Sequence, residues 1–188
     1  MRLRWWVRVT LLLAILALAW WMRARLTWPQ VYLATDASMA PTVDRGEVFV
    51  ATGPSRALRR GMLVIFRYQD EDDDAVYHVL RRVAGLPGDV VSMRQGRAVV
   101  NGRAMEWPFR IVAPKAWRSA YARGGNLYTW GPVRVPQDSV LLLADTRDMM
   151  GWPDGRFIGP VPFGAVEAEA RRILWPPVKG RFFKSLRR

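Results

Sequence analysis

Ser38 lies in the run Thr-Asp-Ala-Ser-Met-Ala-Pro (residues 35–41), which could present a hydroxyl for acyl chemistry. Pro41 fixes its own φ and biases Ala40 towards an extended conformation, so the turn that carries the serine should be rigid. A serine hydroxyl is a poor nucleophile unless a neighbouring base takes its proton. The backbone N–H of Ser38 could help to bind an oxyanion. The run therefore predicts a serine nucleophile that needs a base from elsewhere in the chain.

Four blocks of the sequence occur in an order that resembles the signal peptidase I family. They are the Ser38 run, RRVAGLPGD (81–89), ADTRD (144–148) and GRFIGPVP (155–162), and they follow an apolar N-terminal segment. The resemblance covers roughly residues 8–176. It implies a membrane-bound serine endopeptidase that cuts leader peptides from exported proteins, with Ser38 as nucleophile and no cofactor. Leader peptides of exported preproteins would then be its partners.

Arg81 stands where the family has the lysine that acts as general base. The block aligns without gaps as Arg-Arg-Val-Ala-Gly-Leu-Pro-Gly-Asp, which places Arg81 on that lysine position. A guanidinium does not lose its proton in proteins, so Arg81 cannot act as a base. The Gly-Leu-Pro-Gly-Asp part (85–89) predicts a tight structural turn between two strands.

His78, the only histidine, is the alternative base. Related eukaryotic enzymes use serine and histidine, but there the histidine occupies the lysine position itself. His78 lies three residues before Arg81, so on a regular strand the two side chains point to opposite faces. A β-bulge would correct that parity. The three lysines are remote from the motif in sequence: Lys115, Lys179 and Lys184.

Asp36 takes the place of the hydroxyl or glycine that many family members have two residues before the serine. Its negative charge would oppose a developing oxyanion. A salt bridge between Asp36 and Arg81 would explain both departures at once. The resemblance also implies a framework around the site, formed by Met39, Pro41, Asp145, Arg147, Asp148, Asp154 and Arg156. The hydroxyl that helps to position the family's lysine falls on Met149–Met150 and is missing.

The elements that must position these residues begin with an apolar segment, VTLLLAILALAWWM (9–22). Extended back to Trp5, about eighteen residues would span roughly 27 Å as a helix, close to the bilayer core of about 30 Å. A cleavable signal peptide is the alternative, since Ala17-Leu18-Ala19 fits a small-x-small site. The bulky Trp20 and Trp21 make that cut a poor one. We expect residues 1–25 to be a single-pass anchor in the cytoplasmic (inner) membrane, with the remaining domain on its outer face.

Residues 30–175 predict a mostly β, antiparallel domain. The β-rich runs are 47–52, 62–68, 76–84, 90–94, 97–100 and 140–144, with Gln95-Gly96 and Asn101-Gly102 as turn signals. Residues 166–174 are ambiguous, since alanine and glutamate favour helix while apolar alternation allows a strand. Residues 103–139 correspond to a variable cap insertion of the family. The basic tail (176–188) suits a membrane-surface contact or disorder.

Composition limits the function classes. The 188 residues suit an anchor and one domain, and the absence of cysteine excludes disulfides and thiolate zinc sites. A net charge of +13 indicates an anionic partner, and with an apolar segment present we favour anionic phospholipid over nucleic acid. We expect no cofactor and no metal. Three readings stay open: an active protease, a catalytically impaired homologue that binds peptides or assists assembly in secretion or pilus biogenesis, and a basic peripheral protein.

Overall fold

The computed structural model describes residues 5–27, 29–53, 57–69, 74–106, 129–147, 154–175, 180 and 182–186, with the backbone alone for 22–27. Antiparallel strands dominate the described part, as the sequence predicts. The elements are α1 (Trp5–Thr27), β1 (Gln30–Leu33), β2 (Val48–Thr52), β3 (Leu63–Gln69), β4 (Val76–Gly85), β5 (Val90–Arg94), β6 (Arg97–Val100), β7 (Arg103–Ala104), β8 (Trp130–Arg134), β9 (Ser139–Leu143), α2 (Gly155–Ile158), β10 (Val161–Pro162), a 3-10 turn (Phe163–Ala165) and β11 (Val166–Trp175).

The strands form two sheets. The larger has the order β1-β2-β11-β3-β4-β9-β10 and the smaller has the order β7-β6-β5-β8. The ambiguous segment 166–174 is a strand, because β11 lies inside the larger sheet and pairs with both β2 and β3. Val166, Ala168 and Ala170 are buried along it. Burial in the sheet therefore outweighs the helix propensity of its alanines and glutamates.

The turn signals behave as expected. Asn101 and Gly102 have φ values of 51° and 81°, and Gln95 and Gly96 have 49° and 75°, as hairpin turns between the strands of the smaller sheet require. The Gly-Leu-Pro-Gly-Asp block is a turn as well. There the Asp89 carboxylate accepts the backbone N–H of Leu86 at 2.7 Å.

Apolar side chains cover both faces of the larger sheet. On one face Phe49, Leu63 and Ile65 pack with Met39, the residue after Ser38. On the other, Val64, Phe66, Val79, Val83 and Leu142 form a second cluster. Neighbouring residues of β3 are therefore buried on opposite faces, which explains its continuous apolar sequence. Ser38 is consequently fixed next to a core residue.

Part of the basic tail is ordered against the sheet. The backbone N–H of Ile173 donates to Lys184 O at 3.0 Å, and that of Leu186 donates to Arg171 O at 2.8 Å. Leu186 is buried in the same cluster as Met39. Leu186 is therefore packed in the core, whereas the sequence predicted a membrane-surface contact or disorder for the tail. Residues 176–179, 181 and 187–188 lie outside the described residues.

Leu186→Ala should lower the free energy of unfolding by about 2 kcal/mol, because it removes a buried side chain from the core that holds Met39. Phe183→Ala is the matched control: its side chain is 65% exposed, and its replacement should change stability by no more than about 0.5 kcal/mol. Denaturant unfolding of the full chain in detergent, followed by tryptophan fluorescence, measures both. Equal losses in the two variants would contradict a core role for Leu186.

The predicted N-terminal anchor and cap insertion are described only in part. The apolar segment is helical as α1. Among the residues whose side chains are described, no helix is both long and apolar enough to cross a membrane. The ends of the cap insertion form β7 and β8 of the smaller sheet. Its centre, residues 107–128, lies outside the described residues.

Candidate functional site

Ser38 is held in a short turn between β1 and β2. The backbone N–H groups of Thr42 and Val43 both donate to Met39 O at 2.9 Å, which closes the turn just after the serine. Thr146, in the loop after β9, donates its backbone N–H to Ser38 O at 2.8 Å. Because Met39 and Val43 are buried in the core, the position of the hydroxyl is set by packing as well as by hydrogen bonds.

Arg81 reaches Ser38 directly. Its Nη1 donates to Ser38 Oγ at 2.9 Å and to Leu80 O at 2.6 Å, and its side chain is buried. Burial lowers the pKa of Arg81, while the charges of Asp154 and Asp36 raise it. A guanidinium has donors only and stays protonated in proteins. The serine oxygen therefore accepts a hydrogen bond from the group that stands at the position of the base.

Asp36 has a different partner from the predicted one. Its Oδ1 accepts the backbone N–H of Ser38 at 2.7 Å, a local turn typical of aspartate. Its charge still acts on Arg81 by raising that residue's pKa. The N–H that we expected to be available to an oxyanion is thus donated to a carboxylate.

His78 points to another partner. Its Nδ1 lies 2.7 Å from Glu167 Oε2, and its side chain is 50% exposed. The pairing of β4 with β3 runs from Gln69↔Val76 to Leu63↔Arg82 without a register shift. No β-bulge interrupts this pairing, so the side chains of His78 and Arg81 point to opposite faces of the sheet.

Asp145 forms a buried ion pair with Arg82 next to the Ser38 turn. Arg82 Nε donates to Asp145 Oδ1 at 2.7 Å, and Arg82 Nη2 donates to Oδ2 at 2.5 Å. Thr42 Oγ1 donates to the same carboxylate at 2.5 Å. The pair joins β4 to the loop after β9 beneath the Ser38 turn. Arg82 and Thr42 were not among the predicted site residues, although Arg82 lies in the recognised block.

Asp154 and Arg156 form a second buried pair, with Arg156 Nε 2.9 Å from Asp154 Oδ1. Burial alone would raise the pKa of Asp154, but the charge and hydrogen bonds of Arg156 hold it below its ordinary value. Arg147 donates to Gly96 O at 2.9 Å and to Ala144 O, and burial lowers its pKa to about 10. The predicted framework residue Asp148, with Met149 and Met150, lies outside the described residues.

Ser38 and Arg81 line a cavity of about 410 Å³, which we call the groove. One wall runs from Tyr32 to Met39 and the other from Val76 to Arg81, so the contact between Ser38 and Arg81 marks one end. Apolar side chains make up most of the lining, among them Leu33, Phe49, Ile65 and Leu80. Within the described sheet β1 is an edge strand, and β9 pairs with β4 only from Arg82 onwards. Both walls therefore have backbone groups that an extended peptide could use.

Within the described ranges, no group of three or more histidine, aspartate or glutamate side chains is placed to hold a metal ion. The charged residues near Ser38 are instead arranged in arginine–aspartate pairs. This arrangement keeps the serine hydroxyl in one position and supplies Arg81 as a hydrogen-bond donor to it.

A family model described as "Signal peptidase, peptidase S26" matches residues 3–175. "Probable signal peptidase I-2" of Synechocystis sp. is 32% identical over 146 residues, which cover 75% of this chain and 61% of that protein. "Signal peptidase I" of Bacillus licheniformis is 32% identical over 146 residues, 76% of this chain and 73% of that protein. A signal peptidase I structure from Enterococcus faecalis is 22% identical with a TM-score of 0.44, and covers 62% of this chain and 98% of that one. The chain thus spans about three fifths of the Synechocystis relative.

Proposed function

Because this chain belongs to the signal peptidase, peptidase S26 family, we propose that it is a leader peptidase of low activity. It would bind the leader peptides of exported proteins and present Ser38 to the bond that follows them. The observation that carries the proposal is the position of Ser38, fixed by the core at the end of an apolar groove. A groove with one fixed hydroxyl at its end suits an extended peptide whose reacting carbonyl stops at that hydroxyl.

The peptide would lie in the groove as an added strand. Main-chain groups of β1 and of the first half of β4 supply hydrogen bonds, and pockets for alternate side chains supply selectivity. As the family membership implies, we expect small residues at the first and third positions before the cut. Tyr32, Phe49 and Ile65 make the rest of the lining apolar.

In the chemical step, Ser38 Oγ bonds to the carbonyl carbon, the peptide C–N bond breaks, and the leaving amine takes up a proton. Water then hydrolyses the resulting Ser38 ester, which releases the leader as a carboxylate and restores the hydroxyl. The hydroxyl proton has to pass to water, because Arg81 already holds all its protons. Serine proteases that lose a member of their triad keep about 10³–10⁴-fold catalysis over water through binding and oxyanion contacts, but here the N–H of Ser38 is already donated to Asp36. We expect this chain to be slow in the same way.

A second candidate function is peptide binding without cleavage, in secretion or in pilus biogenesis. Two contacts favour it. Arg81 donates to Ser38 Oγ, and Asp36 accepts the N–H of Ser38. Both groups of the serine that acyl transfer would use are thereby engaged in hydrogen bonds within the site.

We place the protein at the outer face of the cytoplasmic membrane, with α1 as its anchor. The described side chains of α1 are mostly exposed apolar groups, from Trp5 to Trp21, and the apolar run of the sequence continues to Met22. The apolar run from Trp5 to Met22, about eighteen residues, is roughly 27 Å long as a helix, close to a hydrocarbon core of about 30 Å. Anionic phospholipid suits the net charge of +13.

The test is cleavage of a preprotein with a small-x-small site by the full chain in detergent, with enzyme in excess over substrate. We expect slow release of the leader by the parent and none by Ser38→Ala, with the new N-terminus identified by mass spectrometry. Binding of the preprotein by both proteins without any release would support the second candidate. If neither protein bound the preprotein, both candidates would fail.

A further inference from the structure

Glu167 is the extra residue of a β-bulge in β11. Val166 pairs with Phe66 and Ala168 pairs with Ile65, so β11 has one residue more than β3 between these two pairs. A bulge changes the direction of the side chain that it carries and is common next to functional sites. Of these residues, Val166 and Ala168 pack into opposite clusters, while the Glu167 carboxylate is left partly exposed.

The Glu167 carboxylate contacts the β4 wall of the groove. Its Oε2 is 2.7 Å from Nδ1 of His78, which lies on the β4 wall. Burial, and then the charge of Glu167, raise the pKa of Tyr32 on the β1 wall. Its side chain is 31% exposed. One carboxylate therefore lies near the groove at the end opposite Ser38.

The distance from Ser38 sets the peptide position that would meet this carboxylate. His78 precedes Arg81 by three residues, and a strand rises about 3.3 Å per residue, so the two positions are roughly 10 Å apart along β4. An extended peptide covers that length with three residues. If its first residue before the cut lies beside Ser38 and Arg81, its fourth residue lies beside His78, which contacts Glu167. The first and third positions stay available for small side chains.

We propose that Glu167, with His78 beside it, forms a subsite for a basic side chain at the fourth position before the cut. This inference rests on the proposed function, because it needs a leader peptide in the groove. The groove walls between Ser38 and His78 are mainly apolar, so an arginine or lysine bound there would lose its hydration without a counter-charge. The Glu167 carboxylate supplies this counter-charge at one end of the groove, so a basic side chain is favoured at the peptide position that meets it.

The test uses three fluorescent leader-type peptides with alanine at the first and third positions and arginine, glutamine or glutamate at the fourth. Binding to the full-length Ser38→Ala protein in detergent at low salt would be followed by fluorescence anisotropy, so cleavage is not needed. We expect the arginine peptide to bind about fivefold more tightly than the glutamine peptide, and the glutamate peptide most weakly. Glu167→Gln should reduce this preference to less than twofold.

The matched control is Asp138→Asn, which removes one exposed negative charge in the turn before β9 and should leave the preference intact. Equal affinity for all three peptides would overturn the subsite while leaving peptide binding established. A preference that survives Glu167→Gln would overturn it too. If none of the peptides bound, the proposed function itself would fail and the subsite with it.

Discussion

Arg81→Lys is expected to raise the rate of leader cleavage by about 10²-fold or more, within the 10²–10⁴ range that a positioned acid–base group contributes. Arg81 Nη1 is already 2.9 Å from Ser38 Oγ, so a lysine on the same β4 position has its amine within reach of the hydroxyl. Burial lowers a lysine pKa by up to several units, which leaves part of the amine neutral. A neutral amine can take the serine proton, which the guanidinium cannot do.

Single-turnover cleavage of a preprotein in detergent measures the effect. Arg81→Met is the matched control: it removes the guanidinium without providing a base and should give no gain. The rate of Arg81→Lys should also rise with pH as the amine loses its proton, whereas the parent should lack that titration. A second variant, Asp36→Ser/Arg81→Lys, also releases the N–H of Ser38 and should be faster still. Rates of both lysine variants equal to the parent would show that the missing base does not limit the site.

Arg82→Met is expected to lower the free energy of unfolding by about 3–5 kcal/mol, because it leaves the carboxylate of Asp145 buried without its counter-charge. The two side chains are 4% and 1% exposed. Thr42 can still donate to the carboxylate, but one neutral hydroxyl does not replace a bidentate guanidinium. Since Asp145 lies in the loop that also holds Ser38 through Thr146, the loss should be accompanied by weaker peptide binding.

Arg60→Met provides the matched control. Arg60 pairs with Asp89 at 2.5 Å, but its own side chain is 41% exposed, and Asp89 keeps hydrogen bonds from Leu86 and Asn101. Although the Asp89 side chain is only 7% exposed, it keeps these two hydrogen bonds and its partner is solvated, so Arg60→Met should cost clearly less than Arg82→Met, about 1 kcal/mol. Denaturant unfolding of the full-length variants in detergent compares the two. A cost for Arg82→Met as small as that of Arg60→Met would contradict a structural role for the Arg82–Asp145 pair.

Local signals predicted local structure well. The hairpins at Gln95-Gly96 and Asn101-Gly102 follow from the positive φ that these residue types tolerate, and the strands follow from runs of β-branched residues. The contact between Ser38 and Arg81 was foreseeable only because the recognised motifs place both residues at one site. Their positions along the chain, 43 residues apart, would not have paired them.

Three features of the structure were not predicted; the first is a local turn, and the other two depend on tertiary contacts. Asp36 bonds to the nearby backbone of Ser38, because a short aspartate side chain can form a turn as readily as an ion pair. Leu186 is buried although basic residues surround it in sequence. The direction of Glu167 depends on a bulge whose register is set by pairing with β3. Neither the burial of Leu186 nor the direction of Glu167 has a sequence pattern of its own.

The most direct test of the proposed function is to map where a leader peptide binds. A preprotein with a photoreactive residue at the first position before the cut would be cross-linked to the full-length Ser38→Ala protein in detergent, and the attachment sites read by mass spectrometry. We predict cross-links in residues 36–39 and 77–81, removed by excess unlabelled preprotein. Cross-links that fall elsewhere, or that unlabelled preprotein does not remove, would contradict binding of the leader in the groove beside Ser38.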